Sequence, residues 1–375
     1  MKGDKTKQII CRLEDICIVR TGRKDANHAS DNGEYPFFTC GTNPLKSTTY
    51  SFDGENLIIP GNGDIGRCFY YNGKIEAYQR TYVLHLKENS NIDIKYLYLV
   101  FRAGWKLFVK NKILGAAMPY IKLGHLNSFP VPIYEIGVQQ TIATELDSIQ
   151  EMIDGYKAQL TDLDALAQSI FLDMFGSVAI NDKSWDIIPM GKLGDFKNGL
   201  NYNKGEKGKI FKIIGVGDFQ DLKSLTLFDN IPSIELESIS SEYLLKNEDI
   251  VFVRSNGNKN LVGRCLEVYP NKEEVTFSGF CIRFRKSTDI INKYLVALLT
   301  DTGFKKAHIL KSNGIGIQNI NQKLLSNLPI PVPPIDLQKQ FAERVESIEQ
   351  QKELIRQQLA DAEQLMAERM QYYFS

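Results

Sequence analysis

Three glycines spaced Gly61-x-Gly63-x-x-Gly66 are the first pattern in the chain with a chemical reading. After a strand and before a helix, that spacing lets a backbone approach a pyrophosphate at the helix N-terminus. A strand-like Leu57-Ile-Ile-Pro60 precedes the glycines, but Arg67-Cys-Phe-Tyr-Tyr-Asn-Gly73 follows them and opens no helix, so the stretch reads as a turn. There is no Walker A pattern, no N/D-P-P-[YF] motif and no Glu-x-Lys of the usual nuclease metal site. The four histidines (His28, His85, His125, His308) lie far apart in ligand-free and triad-free spacing. The six cysteines (Cys11, Cys17, Cys40, Cys68, Cys265, Cys281) include no C-x-x-C pair and are too sparse for a disulfide scaffold, so they read as reduced thiols. Cys68 and Cys265 follow the same Gly-Arg dipeptide and are expected to be buried core groups. By these signs the chain is non-catalytic, with no metal or cofactor of its own.

What positions the remaining polar residues is an alternation of two kinds of segment. The chain has 375 residues, 43% of them hydrophobic, which favours two or more domains. No apolar run approaches the roughly 18 residues of a membrane helix and MKGDKTKQ lacks the apolar stretch of a signal peptide, so a cytoplasmic protein is expected. Lys plus Arg and Asp plus Glu are 45 each, which argues against simple nonspecific nucleic-acid binding. By segment the balance is uneven. Residues 1–134 carry 18 basic and 12 acidic groups, 135–176 carry 1 and 8, 177–334 carry 21 and 17, and 335–375 carry 5 and 8.

The acidic blocks hold a heptad seam. Ile142, Leu146, Ile149, Ile153, Tyr156, Leu160, Leu163, Ala167, Ile170 and Met174 recur at spacings of four and three, the mark of a long helix with a left-handed supercoiling stripe. At about 1.5 Å per residue it is on the order of 50 Å long. Adding 199 to each position gives Phe341, Val345, Ile348, Lys352, Ile355, Leu359, Ala362, Met366, Arg369 and Tyr373, a second helix copied from the first. Lys352 and Arg369 interrupt the second seam, where they either set register or snorkel to solvent.

The same offset pairs Phe129-Pro130-Val131-Pro132 with Leu328-Pro329-Ile330-Pro331, Gln139 with Gln338, and the strand-like Tyr78-Gln-Arg-Thr stretch with Phe277-Ser-Gly-Phe. Each proline strap is expected to end a domain and start a helix. Ile65-Gly-Arg-Cys68 matches Val262-Gly-Arg-Cys265 at offset 197. The chain is thus an internal duplication of α+β class. Two β-rich domains, 1–134 and 177–334, alternate with two helical spacers, 135–176 and 335–375. The helices are expected to pair as one antiparallel intramolecular coiled coil in a pseudo-twofold molecule.

Over nearly its whole length this organisation resembles the specificity (S) subunit of type I restriction-modification systems. The likeness rests on Glu55-Asn-Leu-Ile-Ile-Pro-Gly-Asn-Gly-Asp-Ile-Gly-Arg67, on the segment from Glu248-Asp-Ile-Val-Phe-Val-Arg254 to Leu261-Val-Gly-Arg264, and on Leu328-Pro-Ile-Pro-Val-Pro-Pro-Ile-Asp-Leu-Gln-Lys-Gln340 and Ile170-Phe-Leu-Asp-Met-Phe-Gly176. Tyr134 stands where a proline is common, and Glu55-Asn56 where Gly-Asp is usual. The resemblance implies two target-recognition domains, each reading one half of a split double-stranded DNA site, with the coiled coil setting the gap. It also implies two DNA methyltransferase (M) subunits docked on the straps and exposed helix faces, and restriction (R) subunits in the full assembly. S-adenosylmethionine, ATP and Mg would lie on those partners, and no membrane is involved.

Base edges are read by Arg, Lys, Asn and Gln. In the first domain these cluster as Arg20, Arg23, Lys24, Asn62, Arg67, Gln79, Arg80 and Lys122, and in the second as Asn203, Lys204, Arg254, Asn256, Asn258, Lys259, Arg264, Gln318 and Asn319. Each could equally be a solvated loop residue. Arg67 and Arg264 match across the repeat and so suit phosphate binding or structure better than sequence reading, whereas Arg23, Arg80, Arg254 and Asn256 are the favoured base contacts. An alternative of another class is a non-enzymatic coiled-coil adaptor whose globules bind proteins.

Overall fold

The computed structural model of the chain describes residues 9–115, 119–202, 207–219, 224–255, 261–310 and 319–374. The heptad seams become two helices of 40 residues each, Ile136–Phe175 and Ile335–Phe374. The chain divides into two units, Met1–Ala158 with Arg356–Ser375, and Gln159–Ile355, so each unit combines one globule with part of both long helices.

In the first unit an antiparallel sheet runs in the order Cys17–Thr21, Thr81–Leu86, Glu55–Pro60, Phe69–Asn72. A three-stranded sheet of Leu45–Ser47, Tyr35–Phe38 and Glu76–Ala77 lies beside it in the topology. Helix Ile94–Val109 buries Tyr96, Leu97, Phe101 and Trp105, and the Trp105 indole donates to the Ile65 carbonyl at 2.7 Å. The second unit repeats the plan. Its main sheet runs Gly194–Asn198, Cys281–Lys286, Asp249–Val253, Cys265–Val268, with Ser224–Leu225 added in parallel. A three-stranded sheet joins Ser233–Leu236, Lys209–Ile214 and Val275–Phe277, and helix Asn292–Thr300 buries Tyr294, Leu295, Leu298 and Leu299. Among the described residues no helix is long and apolar enough to cross a membrane.

The proline straps do more than end a domain. Pro130–Ile133 and Pro329–Val332 are strands, paired antiparallel with Ile9–Arg12 and Asp186–Pro189. In a two-stranded ribbon every second residue turns its N–H away from the partner, so prolines at alternate positions remove no ladder bond. The residues between them, Val131 and Ile330, turn inward and are fully buried.

The seams also reach further than helix against helix. In the first unit Ile142, Leu146, Ile149 and Ile153 share one apolar core with Ala362 and Met366 and with the globular residues Leu97, Val100 and Phe101. Its two helix segments run antiparallel, Glu145 meeting Arg369 at 2.8 Å and Lys157 meeting Glu363 at 3.0 Å. In the second unit Phe171 and Phe175 pack on Phe341 and on Tyr294 of the globule, and Lys352 donates to Asp164 at 2.9 Å. Tyr156, Leu160, Leu163, Ala167, Ile170, Val345, Ile355 and Leu359 are half-buried, while Met174 and Ile348 are buried. Of the polar seam positions, Lys352 is buried and held by Asp164 and Glu349, and Arg369 is exposed.

Gln139 and Gln338 fasten each long helix to its globule. The Gln139 amide accepts from Asp93 N–H (3.0 Å) and donates to the carbonyls of Asn91 (3.0 Å) and Tyr134 (2.7 Å). Gln338 accepts from Ile291 N–H (2.9 Å) and donates to the Pro333 carbonyl (2.8 Å). Replacing Gln338 by Leu keeps the volume but orphans a half-buried N–H and a buried carbonyl, and is expected to lower unfolding free energy by about 2 kcal/mol in urea titration. Lys352→Met is expected to be neutral or stabilising, because the carboxylates it leaves, 48% and 36% exposed, stay in water. A loss above about 2 kcal/mol in the same titration would contradict that.

Candidate nucleic-acid interface

The polar loops of the first unit converge where three backbone segments are stitched together. Gly61, just past strand Glu55–Pro60, donates to the Arg80 carbonyl at 2.8 Å, and its own carbonyl accepts from Ile121 at 2.9 Å. A Cβ on Gly61 would stand 2.3 Å from the Arg80 oxygen, so this position needs glycine for close approach rather than for a phosphate. Gly22 is pinned the same way against Ala77, and Gln79 donates to the Lys24 carbonyl at 2.9 Å. The Gly61-x-Gly63-x-x-Gly66 stretch is irregular turn, with no helix following it.

These bonds frame a depression of about 370 Å³ lined by Thr21, Gly61, Asn62, Gln79, Arg80, Tyr82, Tyr120 and Ile121. Three of the polar residues singled out in the sequence, Asn62, Gln79 and Arg80, therefore share one wall-and-floor arrangement. Asn62 is buried and Gln79 and Arg80 are exposed. Arg20, Arg23 and Lys122 are exposed nearby along the chain, next to Thr21, Gly22 and Ile121, and Lys24 is half-buried. Tyr82 donates to the Ile121 carbonyl at 3.3 Å, and burial raises its phenol above the ordinary range, so it is a neutral donor at physiological pH.

Arg67 does not belong to this cluster. Its guanidinium pairs with Asp64 at 2.8 Å, donates to the Thr42 carbonyl at 2.9 Å and lies over the Phe69 ring. Arg264, its counterpart, donates to the Phe219 carbonyl at 3.3 Å. Both arginines tie their own loops together. Burial pushes the Cys265 thiol up to about 12 and raises Cys68 as well, so neither supplies a thiolate. Among the described residues no cluster of His, Cys, Asp and Glu is arranged to hold a metal ion.

The second unit rebuilds the same frame with other side chains. Arg254 N–H donates to the Phe280 carbonyl at 2.8 Å and the Arg254 carbonyl accepts from Ile320 at 2.9 Å, the bonds made by Gly61 in the first unit. Ser255 bridges Asn319 as Asn62 bridges Tyr120. Structurally, then, Arg80 corresponds to Phe280, at offset 200. The 199 offset read from the sequence slips by one residue at this turn and sets Arg80 against Gly279. Arg254 is half-buried, with its guanidinium 3.5 Å from the Gly279 carbonyl, and Asn319 is exposed. Asn203, Lys204, Asn256, Asn258, Lys259 and Gln318 lie outside the described residues. Sequence reasoning passed over Lys197, Asn198 and Asn201, which flank Gly199 as Arg20 and Arg23 flank Gly22. The close approach of Gly199 to Ser278 and of Gly22 to Ala77 marks the equivalence.

The family model for the type I restriction modification DNA specificity domain matches residues 7–163 and 182–364. The chain is 27% identical over 380 residues to the type I restriction enzyme EcoDI specificity subunit of Escherichia coli, covering 93% of this chain and 83% of that one. With the StySPI specificity subunit of Salmonella potsdam it shares 27% over 274 residues, 68% of this chain and 59% of that one. The fold is similar to the crystal structure of a type I restriction-modification S subunit from M. genitalium, with TM-score 0.64 and 15% identity over 99% of this chain and 96% of that one.

The arrangement separates exposed candidates from structural arginines. Arg80→Ala is expected to leave unfolding free energy within about 0.5 kcal/mol, and Arg67→Ala to cost about 1 kcal/mol by loss of its ion pair and carbonyl bond. In duplex-DNA titrations across salt concentrations, Arg80→Ala is the variant expected to weaken binding, by about fivefold or more.

Proposed function

The chain belongs to the type I restriction modification DNA specificity family, and from that membership we propose that it is the DNA sequence-recognition subunit of a type I restriction-modification complex. Each globule reads one half of a split double-stranded target. The two long helices pair antiparallel as a coiled coil that fixes the gap between the halves. The antiparallel order of Glu145–Arg369 and Lys157–Glu363 in one unit, and of Asp164–Lys352 and Phe171–Phe341 in the other, supports this pairing.

The chain itself performs no covalent chemistry. Its duty is to choose the DNA on which two methyltransferase subunits, and in the full assembly restriction subunits, act in the cytoplasm. S-adenosylmethionine, ATP and Mg belong to those partners. The relatives carry names of specificity subunits of type I restriction enzymes, and the mild positive charge of both globules suits a protein whose partners share the phosphate contacts.

One observation carries the proposal: a single main-chain frame occurs twice, with Gly61, Asn62 and Arg80 on it in one unit and Arg254, Ser255 and Phe280 in the other. A frame kept while its exposed side chains change is what two different half-sites require. Single-molecule methylation sequencing of DNA from cells expressing the chain with its methyltransferase tests this. The expected result is a split motif with adenine methylated in both halves at a fixed gap, absent when this chain alone is removed. A folded, expressed methyltransferase whose motif is the same with and without the chain would sink the proposal.

A further inference from the structure

Phe280 is an aromatic side chain in an anomalous place. It is 63% exposed although the turn around it is hydrogen-bonded, and among the described residues its ring joins no apolar core. The turn beneath it is closed by hydrogen bonds. Gly279 donates to the Leu200 carbonyl at 2.8 Å, Cys281 to the Ser278 carbonyl at 2.8 Å, and Phe280 N–H to the Ser278 hydroxyl at 3.3 Å. The Phe280 carbonyl accepts from Arg254 at 2.8 Å and from Ser255 at 3.4 Å. A Cβ on Gly279 would meet the Asn201 side-chain oxygen at 2.1 Å, so the Asn201 amide packs closely over this glycine. The backbone on both sides is fixed while the ring is held out in water, a display that costs apolar hydration in the free protein.

Two neighbours give the display a direction. Phe280 occupies the place that Arg80 holds in the first unit, on the wall of that unit's polar depression. The Arg254 guanidinium lies beside the same turn, within 3.5 Å of the Gly279 carbonyl. Among base edges only thymine offers an apolar group in the major groove, its 5-methyl, while an arginine beside it suits guanine or a phosphate. An exposed phenyl on a hydrogen-bonded turn next to an arginine therefore matches a T·A pair flanked by such a group.

We propose that Phe280 is a specificity-determining residue of the second half-site, packing against the 5-methyl of one thymine. This rests on the function proposed above and adds a chemical identity to one position of the target. It also explains why the equivalent positions differ: Arg80 recognises a polar edge in one half-site, Phe280 an apolar one in the other.

The test uses the full chain assembled with its methyltransferase, on duplexes carrying the split target found by methylation sequencing. Each thymine of the second half-site is replaced in turn by deoxyuridine, which removes only the methyl group. One replacement is expected to weaken binding about fourfold, the equivalent of one buried methyl. Phe280→Ala should bind the thymine duplex about fourfold more weakly and no longer distinguish thymine from deoxyuridine, whereas Phe280→Leu should keep part of the distinction. Unchanged discrimination in the first half-site and an unchanged melting temperature control for folding. Wild-type complex indifferent to every deoxyuridine in the second half-site, or a Phe280→Ala complex that discriminates as well as wild type, overturns the proposal while leaving the specificity function standing. Absence of any split target for the wild-type complex overturns both.

Discussion

Two fully buried glutamine amides hold the geometry on which each unit depends. Taken out of water, an amide must find its partners within the protein. Gln139 finds the N–H of Asp93, the residue that caps helix Ile94–Val109, and Gln338 finds the N–H of Ile291, the cap residue of helix Asn292–Thr300. Their donor groups bind carbonyls of the segments beside them. The first turn of each long helix is thereby joined both to its strap and to the helix of its globule, and it cannot rotate without stranding several polar groups. Tyr96 and Tyr294 reinforce the joint from the other side, each donating at 2.7 Å to a strap carbonyl, Pro132 and Pro331. With the strap held, the ribbon strand paired to it and the sheet that follows are held as well.

The seams extend that constraint along the helices. Where a seam meets a globule its residues are the floor of the globular core: Leu146 is packed with Leu97 and Phe101, and Phe175 stacks edge-on against Tyr294 at 4.6 Å. Where the seam leaves the globule the helices have mostly each other, and the stripe becomes half-buried at Leu160, Leu163 and Ile355. The polar interruption falls in this thinner stretch. Lys352 buries its stem and places its ammonium between Asp164 and Glu349, an arrangement that a slipped register would break. The acidic bias of the helical blocks, with 16 carboxylates against 6 basic groups, keeps their outer faces charged and discourages collapse onto anionic phosphates.

Much of this was legible because its physics is periodic. The four-three spacing from Ile142 to Met174, and its copy from Phe341, specifies helix, length and buried face with no tertiary information. The pairing of Gln139 with Gln338 was visible as a coincidence of offset, though not as a latch, since nothing local signals where a side-chain amide finds backbone partners. The straps do precede the long helices as expected, but their strand pairing was not legible, because proline is a poor strand former in isolation; Pro130 and Pro132 become compatible with a ladder only when alternate N–H groups face away from Ile9–Arg12. Asn62, Gln79 and Arg80 could be picked out as polar loop residues. Their convergence depends on strands Glu55–Pro60 and Thr81–Leu86 being neighbours, which is a property of sheet order. Phe280 was invisible, because an aromatic residue beside a strand is ordinarily core, and because a one-residue slip hid its correspondence with Arg80.

That correspondence also explains how such a site can diverge without unfolding its host. The bonds that fix the frame run between main-chain atoms: Gly61 to Arg80 and Ile121 to Gly61 in one unit, Arg254 to Phe280 and Ile320 to Arg254 in the other. Main-chain groups are present whatever the residue type, so the frame survives exchange of the side chains it displays, provided the close approaches at Gly22 and Gly199 are kept. The displayed groups Arg80 and Phe280 are exposed, and exposed substitutions change stability little. Arg67 and Arg264 are the contrary case. Their side chains bind loop carbonyls, and in Arg67 an aspartate too, so their loss would loosen the loops themselves. A fold that assigns holding to the backbone and to a few repeated side chains, and display to exposed residues such as Arg80 and Phe280, separates the selection on stability from the selection on what is bound.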